Sequence, residues 1–166
     1  MAQSLKEPKA PAAAAPSEPL ALVRFDDDYC AWVEQQAAFL REGRLDAIDL
    51  ENIAEELSDM GKSERVRVES ALKVLIMHML KWDQQPERRS RSWVATIAEQ
   101  RRRIARRLQQ SPSLRSKVGE MVEDGYDSAR NWAAIETHLP DDDFPRECPY
   151  TWDDIMTRPF ATDDQA

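Results

Sequence analysis

Glycine is scarce, four residues in a chain of 166. So few positions able to take φ > 0 argue against an all-β fold, which spends glycine on its hairpins, and against a phosphate-cradling loop. Cysteine is scarcer. Cys30 and Cys148 lie far apart, with no CxxC pair and no Cys/His cluster, which excludes a structural zinc site and predicts two reduced thiols. No apolar run reaches the ~20 residues of a membrane span. The stretch from Met1 to Pro19 lacks the apolar core of a secretory signal, since its Ala12–Ala15 run ends at Pro16. A cytoplasmic protein without membrane contact is expected. Walker, GxSxG, HExxH and dinucleotide patterns are absent. Neither His78 nor His138 follows a glutamate by three positions, as the di-iron bundles require. No cofactor and no bound metal is expected.

What is present is ordinary for a globular chain: 42% hydrophobic and 33% charged residues. Residues 1–22 form an Ala/Pro-rich tail, with Pro8, Pro11, Pro16 and Pro19 among alanines and charges; such a composition buries too little to offset its ordering entropy. A single helical domain is expected over 23–160, and an acidic, disordered end over 161–166.

Within that domain apolar residues recur at helical spacing. Asp26–Asp28 should cap a first helix carrying Tyr29, Trp32, Val33, Gln36, Phe39 and Leu40, ended by Gly43. Asp46 is the expected cap of a second helix, Ala47 to Met60, with Leu50, Ile53, Leu57 and Met60 as its stripe and Gly61 at its C′ position. Ser63 should open a third, apolar nearly all round from Ala71 to Leu80 and stopped by Pro86. A fourth follows the basic loop 86–92, with Trp93, Ile97, Ile104 and Leu108 inward. Ser111-Pro112 signals the start of a fifth, with Leu114, Val118, Met121, Val122, Tyr126, Ala129, Trp132 and Ala133 on one stripe. A short helix over 150–156, capped by Thr151, completes the set, and Phe160 is a final anchor. Short links between helices predict an all-α, antiparallel bundle of about five main helices with a short C-terminal helix.

The net charge of -8 hides a segregation. Residues 62–117 hold 15 Lys/Arg against 5 Asp/Glu, whereas 1–61 hold 5 against 13 and 118–166 hold 3 against 13. Either the parts neutralise one another on folding or the basic middle meets an anion. On the fourth helix Arg102, Arg103 and Arg106 point away from the apolar stripe, a solvated face. Arg101 falls at the stripe's edge, where a guanidinium needs a carboxylate partner or an anion. Asp49, Asn52 and Glu56 share one flank of the second helix and Glu51 and Glu55 the other. These groups suit a hard cation, acid/base chemistry or pairing with the arginines of 88–107, and pairing is the commoner outcome. His78 and Trp82 are i, i+4 neighbours; a lone histidine in an apolar helix is more often a satisfied core residue than a titrating one. Trp82, Arg88, Arg89, Arg91 and Trp93 set aromatics beside guanidinium groups, a mixture that suits phosphate binding with base stacking and equally suits arginines stacked on tryptophans for structure.

Several of these segments also carry a likeness. Leu50-Glu-Asn-Ile-Ala-Glu-Glu-Leu57 with Met60-Gly61, His78-Met-Leu-Lys-Trp82, Arg88-Arg-Ser-Arg-Ser-Trp93, Ser111-Pro-Ser-Leu114 and Cys148-Pro-Tyr-Thr151 stand in collinear order. Together the sequence resembles, over roughly 25–160, the bacterial family known as domain of unknown function 29. The resemblance implies an all-helical bacterial protein and brings no activity with it. It directs attention to Asn52, Glu55, Glu56, His78, Trp82, Arg89, Arg91 and Trp93.

Three functions follow as expectations. The first is a protein-interaction or regulatory module with a protein partner or a second copy of itself, motivated by dense charge, amphipathic helices and no catalytic signature. The second is nucleic-acid binding through the arginine-rich loop and helix of 88–107, against which the overall charge counts. The third is a metal-assisted hydrolase using Glu55, Glu56 and His78. The candidate binding residues are Asn52, Glu55, Glu56, His78, Trp82, Arg88, Arg89, Arg91, Trp93 and Arg101.

Overall fold

The computed structural model describes residues 22–162. Apart from Leu22, the expected N-terminal tail (1–22) lies outside the described residues, as do 163–166 of the expected acidic end. The described residues hold five α-helices and no strand, so the chain is all-α: α1 Tyr29–Glu42, α2 Leu50–Gln84, α3 Arg91–Gln110, α4 Val118–Thr137 and α5 Trp152–Thr157. The chain divides into two compact units, Met1–Ile53 and Ala54–Ala166.

In the first unit, Asp28 caps α1 by accepting the Ala31 N–H at 3.0 Å, as its position ahead of the apolar stripe predicts. Gly43 ends the helix with φ +72°, and Arg44 donates back to the Phe39 carbonyl at 2.9 Å; that backbone conformation is one only glycine takes cheaply. Trp32, Gln36 and Phe39 are the buried face, while Tyr29, Val33 and Leu40 are exposed. Asp46 does not cap α2. It sits in a 3-10 turn, Leu45–Ala47, and Asp49, directly before Leu50, accepts the Asn52 N–H at 3.3 Å.

The second unit takes the rest of α2 together with α3, α4 and α5. Here the expected second and third helices are one. Helix α2 runs through Met60, Gly61 and Ser63 without a break, because Gly61 adopts no positive φ and a single internal glycine costs only about 1 kcal/mol. Pro86 ends α2 as expected, and Ser90 caps α3 through the Trp93 N–H. Ser111-Pro112 opens a 3-10 segment, Pro112–Lys117, rather than the α-helix itself, which starts at Val118. The expected cap at Thr151 is present with its reciprocal partner: Asp154 N–H meets the Thr151 hydroxyl and the Asp154 carboxylate accepts the Thr151 N–H.

Helix α2 carries the core. Val68, Leu72, Leu75, Ile76, Met79 and Leu80 are sealed from solvent against Ile97 and Ile104 of α3, Met121, Ala129 and Ala133 of α4, Phe144 and Ile155. Lys81 lies over the Trp93 ring and Arg107 reaches Glu64, so α3 runs antiparallel to α2. Arg65 pairs with Asp124 and Lys81 with Glu136, so α4 runs parallel to α2. The three long helices are therefore up, down and up. Trp132, expected on the inward stripe of α4, is 46% exposed, with Lys73 over its ring. Leu57 and Met60, expected as core positions, are 63% and 65% exposed.

Candidate functional site

Asn52 belongs to the first unit. Its side-chain amide donates to Asp49 at 2.7 Å, and the Trp32 indole N–H donates to the same carboxylate oxygen at 3.3 Å. Gln36 accepts the Asp49 N–H at 2.9 Å. Led by the Asn52 amide, these donors hold the Asp49 carboxyl below its usual range. The cluster thus ties the start of α2 to α1 within this unit.

The remaining sequence-picked residues lie in the second unit, where Glu55, Glu56 and His78 do not converge. Glu55 is exposed and Glu56 partly so, on the early turns of this unit's α2. His78, about six turns on, bonds through Nδ1 to the Val74 carbonyl at 2.9 Å and burial lowers its pKa. Among the described residues no group of three or more His, Cys, Asp or Glu is placed to hold a metal ion. The arrangement gives a hydrolytic centre on Glu55, Glu56 and His78 no geometric support.

The basic loop resolves into structural contacts. Arg89 donates to the Trp82 carbonyl at 3.0 Å and lies 4.9 Å from the centre of the Trp82 ring. Phe160 meets the same ring edge-on at 5.4 Å. With Trp82 5% exposed and Trp93 beneath Lys81 at 4.6 Å, both tryptophans are occupied by cations of the fold itself. Arg88 and Arg91 are exposed.

Arg101 pairs with no carboxylate among the described residues. Its guanidinium donates to three main-chain carbonyls, Ile155 at 2.7 Å, Arg158 at 2.8 Å and Asp154 at 3.1 Å. The Ile155 and Arg158 carbonyls lie where the helix ends and the dipole favours a cation, and the Asp154 carbonyl also accepts the Arg158 N–H at 3.1 Å. Burial and the neighbouring Arg158 lower the Arg101 pKa. Sequence reasoning missed the companion of this cap. Asp83 accepts both Nη groups of Arg158, at 2.9 and 2.6 Å, and the Tyr150 hydroxyl at 2.8 Å. Burial first, then Asp83, push the Tyr150 phenol far up. Only the Cys-Pro-Tyr-Thr likeness hinted at Tyr150; Asp83 and Arg158 carry no local signature.

The arrangement that can recognise a ligand lies elsewhere in this unit. A groove of about 540 Å³ runs between α2 and α3, lined by Arg67, Ser70 and Ala71 of the one and Arg103, Arg106, Arg107 and Gln110 of the other. Arg103, Arg106, Arg107 and Gln110 stand at i, i+3, i+4 and i+7, which places them along one helix face. Among the described residues the lining holds four guanidinium groups and no carboxylate. Glu64 pairs with Arg107 at 2.6 Å and with Arg67, and Glu99 accepts from Arg103 at 2.9 Å. Arg106 has no hydrogen bond or ion pair among the described residues. The pairings hold the Glu64 carboxyl, through Arg107 and Arg67, and the Glu99 carboxyl, through Arg102 and Arg103, below their usual range. Two carboxylates thus pair with three of the four groove arginines, and positive charge is left over. The sequence reading placed Arg103 and Arg106 on a solvated face and did not link them to Arg67, Arg107, Ser70 or Gln110. The i, i+3, i+4, i+7 spacing was the available signal.

No curated protein and no solved structure matches this chain. The family model described as a domain of unknown function, DUF29, matches residues 24–161, nearly the whole described length. The all-helical bundle fits that assignment, and the chain belongs to the DUF29 family.

Proposed function

We propose that this chain is a regulatory binding module that engages an anionic partner through the arginine-lined groove between α2 and α3. The observation that carries this reading is the charge of the groove: four guanidinium groups, no lining carboxylate and an arginine without a partner among the described residues. Guanidinium groups keep their charge at any physiological pH and meet carboxylate or phosphate oxygens two at a time. Elsewhere in the unit Arg65 is committed to Glu69, Glu120 and Asp124, Lys81 to Glu136 and Arg158 to Asp83. In the groove a guanidinium unpartnered among the described residues stands beside three others.

Nucleic-acid binding through the loop 88–93 draws less support, because base stacking needs an open aromatic face and Trp82 and Trp93 already carry Arg89 and Lys81.

Retention on immobilised heparin tests the proposal. A protein of net charge -8 has no general reason to stay on a polyanion. Native chain should be held at low salt and released as salt rises, while Arg103→Glu/Arg106→Glu should pass through. Flow-through of the native chain at low salt, or equal retention of the double variant, would remove the basis of the proposal.

A further inference from the structure

We infer that the groove's ligand is a compact condensed-phosphate chain, either free polyphosphate or the triphosphate of a nucleotide; this rests on the groove being an anion site. Three features narrow the chemistry. The lining offers guanidinium, hydroxyl and amide groups, and its one apolar contributor is Ala71. A nucleobase or aromatic ring would find no aromatic side chain to stack on, whereas phosphoryl oxygens would find donors throughout. Each of Arg67, Arg103 and Arg107 gives one N–H to a carboxylate, and a guanidinium has five, so the groove retains most of its donors even with Glu64 and Glu99 in place. Finally, about 540 Å³ lies in the size range of small-molecule sites, roughly 300–1,000 Å³.

Charge distribution argues for a compact anion over an extended one. Residues 118–166 hold 13 acidic groups against 3 basic ones. One stretch of a long polyanion can enter the groove, but its remainder meets that repulsion, because charges within the Debye length of about 8–10 Å are felt. A short phosphate chain seated between Arg67 on α2 and Arg106 on α3 gains bidentate contacts from both helices without leaving the groove.

Calorimetric titration of the full chain with tripolyphosphate, ATP, a single-stranded oligonucleotide and an acidic peptide tests this. The variants are Arg106→Glu, Arg106→Ala and Arg102→Glu. Arg106 makes no hydrogen bond or ion pair among the described residues, so both of its variants should keep the native circular-dichroism spectrum. Arg102 lies outside the lining and controls for net charge. Tripolyphosphate should bind, more weakly as salt rises, and lose roughly tenfold in affinity with Arg106→Ala and more with Arg106→Glu, the loss of about one charge-assisted contact. Arg102→Glu should change it little. ATP binding as well as tripolyphosphate would assign the site to any triphosphate; ATP binding much more weakly would assign it to the free chain. If the oligonucleotide or the peptide binds through Arg106 and tripolyphosphate does not, the anion site stands and this ligand class is wrong. If no anion binds, both readings fall. Equal losses in Arg102→Glu and Arg106→Glu would show a diffuse charge effect and overturn the site.

Discussion

Arg101 shows how one side chain can hold an element that could not hold itself. Helix α5 has six residues, too short to be stable alone, and Arg101 satisfies its C-terminal carbonyls while lying 5.2 Å from the Phe160 ring centre. Hydrogen bonds from a charged donor contribute about 1.5–3 kcal/mol, so Arg101→Ala should cost about 2 kcal/mol in urea unfolding and should strip amide-exchange protection from 152–157 first. Arg101→Lys should not restore it, because an ammonium cannot fork to three carbonyls; full rescue by lysine would show that charge alone suffices. Two tyrosines make a prediction in alkali. Burial pushes the Tyr126 phenol up to about 12, with its hydroxyl donated to the Pro145 carbonyl at 2.7 Å, and Tyr150 lies higher still. An unfolded phenol titrates near 10. The folded state therefore holds these protons longer. Their stabilising contribution is complete below about pH 10 and is lost as pH rises toward 12. Tyrosinate absorbance of the native protein should lag that of the unfolded chain, and Tyr126→Phe with Tyr150→Phe should flatten the alkaline fall in stability. Superimposable native and unfolded titrations would contradict it. His78 works in the opposite sense. Burial lowers its pKa, so its contribution is present above the unfolded value of about 6.5 and lost as pH falls below it. His78→Gln should remove that component while leaving the steeper loss near pH 4, to which Glu64 and Glu99 contribute.

At the scale of the element, glycine decides two outcomes that look alike in sequence. Gly43 lies in the left-handed region at φ +72°, and Gly43→Ala should cost about 1 kcal/mol. Gly61 lies inside α2, with open space where a Cβ would sit. Gly61→Ala should stabilise the protein by about 0.5–1 kcal/mol, readable as a raised urea midpoint at unchanged slope. A loss of stability would mean that the helix is broken there after all. The capping residues Asp28 and Thr151 and the stop at Pro86 were legible because a cap depends only on its next three or four residues. Gly61 with Ser63 misled for the same reason. The local pattern fits a helix end as well as it fits a helix interior, and the apolar residues beyond, from Val68 to Leu80, make the continuous helix worth its one internal glycine.

Over the whole molecule the segregated charge of the sequence is partly neutralised by folding. Basic residues of 62–117 meet acidic ones of 118–166 in the second unit, Arg65 with Glu120 and Asp124 and Lys81 with Glu136. Most of these pairs have an exposed member, and exposed pairs contribute about 0–1 kcal/mol each. Raising salt should therefore change global stability by no more than about 1 kcal/mol, although it should abolish anion binding. Asp83 is the exception in kind, since it joins Tyr150 and Arg158 to a helix 67 and 75 positions away in sequence. Asp83→Ala should release the chain after Cys148, seen as faster chymotryptic cleavage after Tyr150, with α2 to α4 still folded. Unchanged cleavage would assign the docking of that segment to Ile155 and Phe160 alone.

Helix content, the caps at α1 and α5, the inward stripe of α3 and the membership of the family were all legible in the sequence, because each depends on spacing within a few residues or on collinear motifs. Tertiary structure decided the rest. It exposed Leu57, Met60 and Trp132 despite their helical spacing, since periodicity says which residues share a face and not what covers that face. It gave Arg101 carbonyls instead of a carboxylate, and it set Arg67 opposite Arg103, Arg106 and Arg107. Both outcomes depend on which helices pack together, a choice made by burying the α2 core and by no single segment on its own.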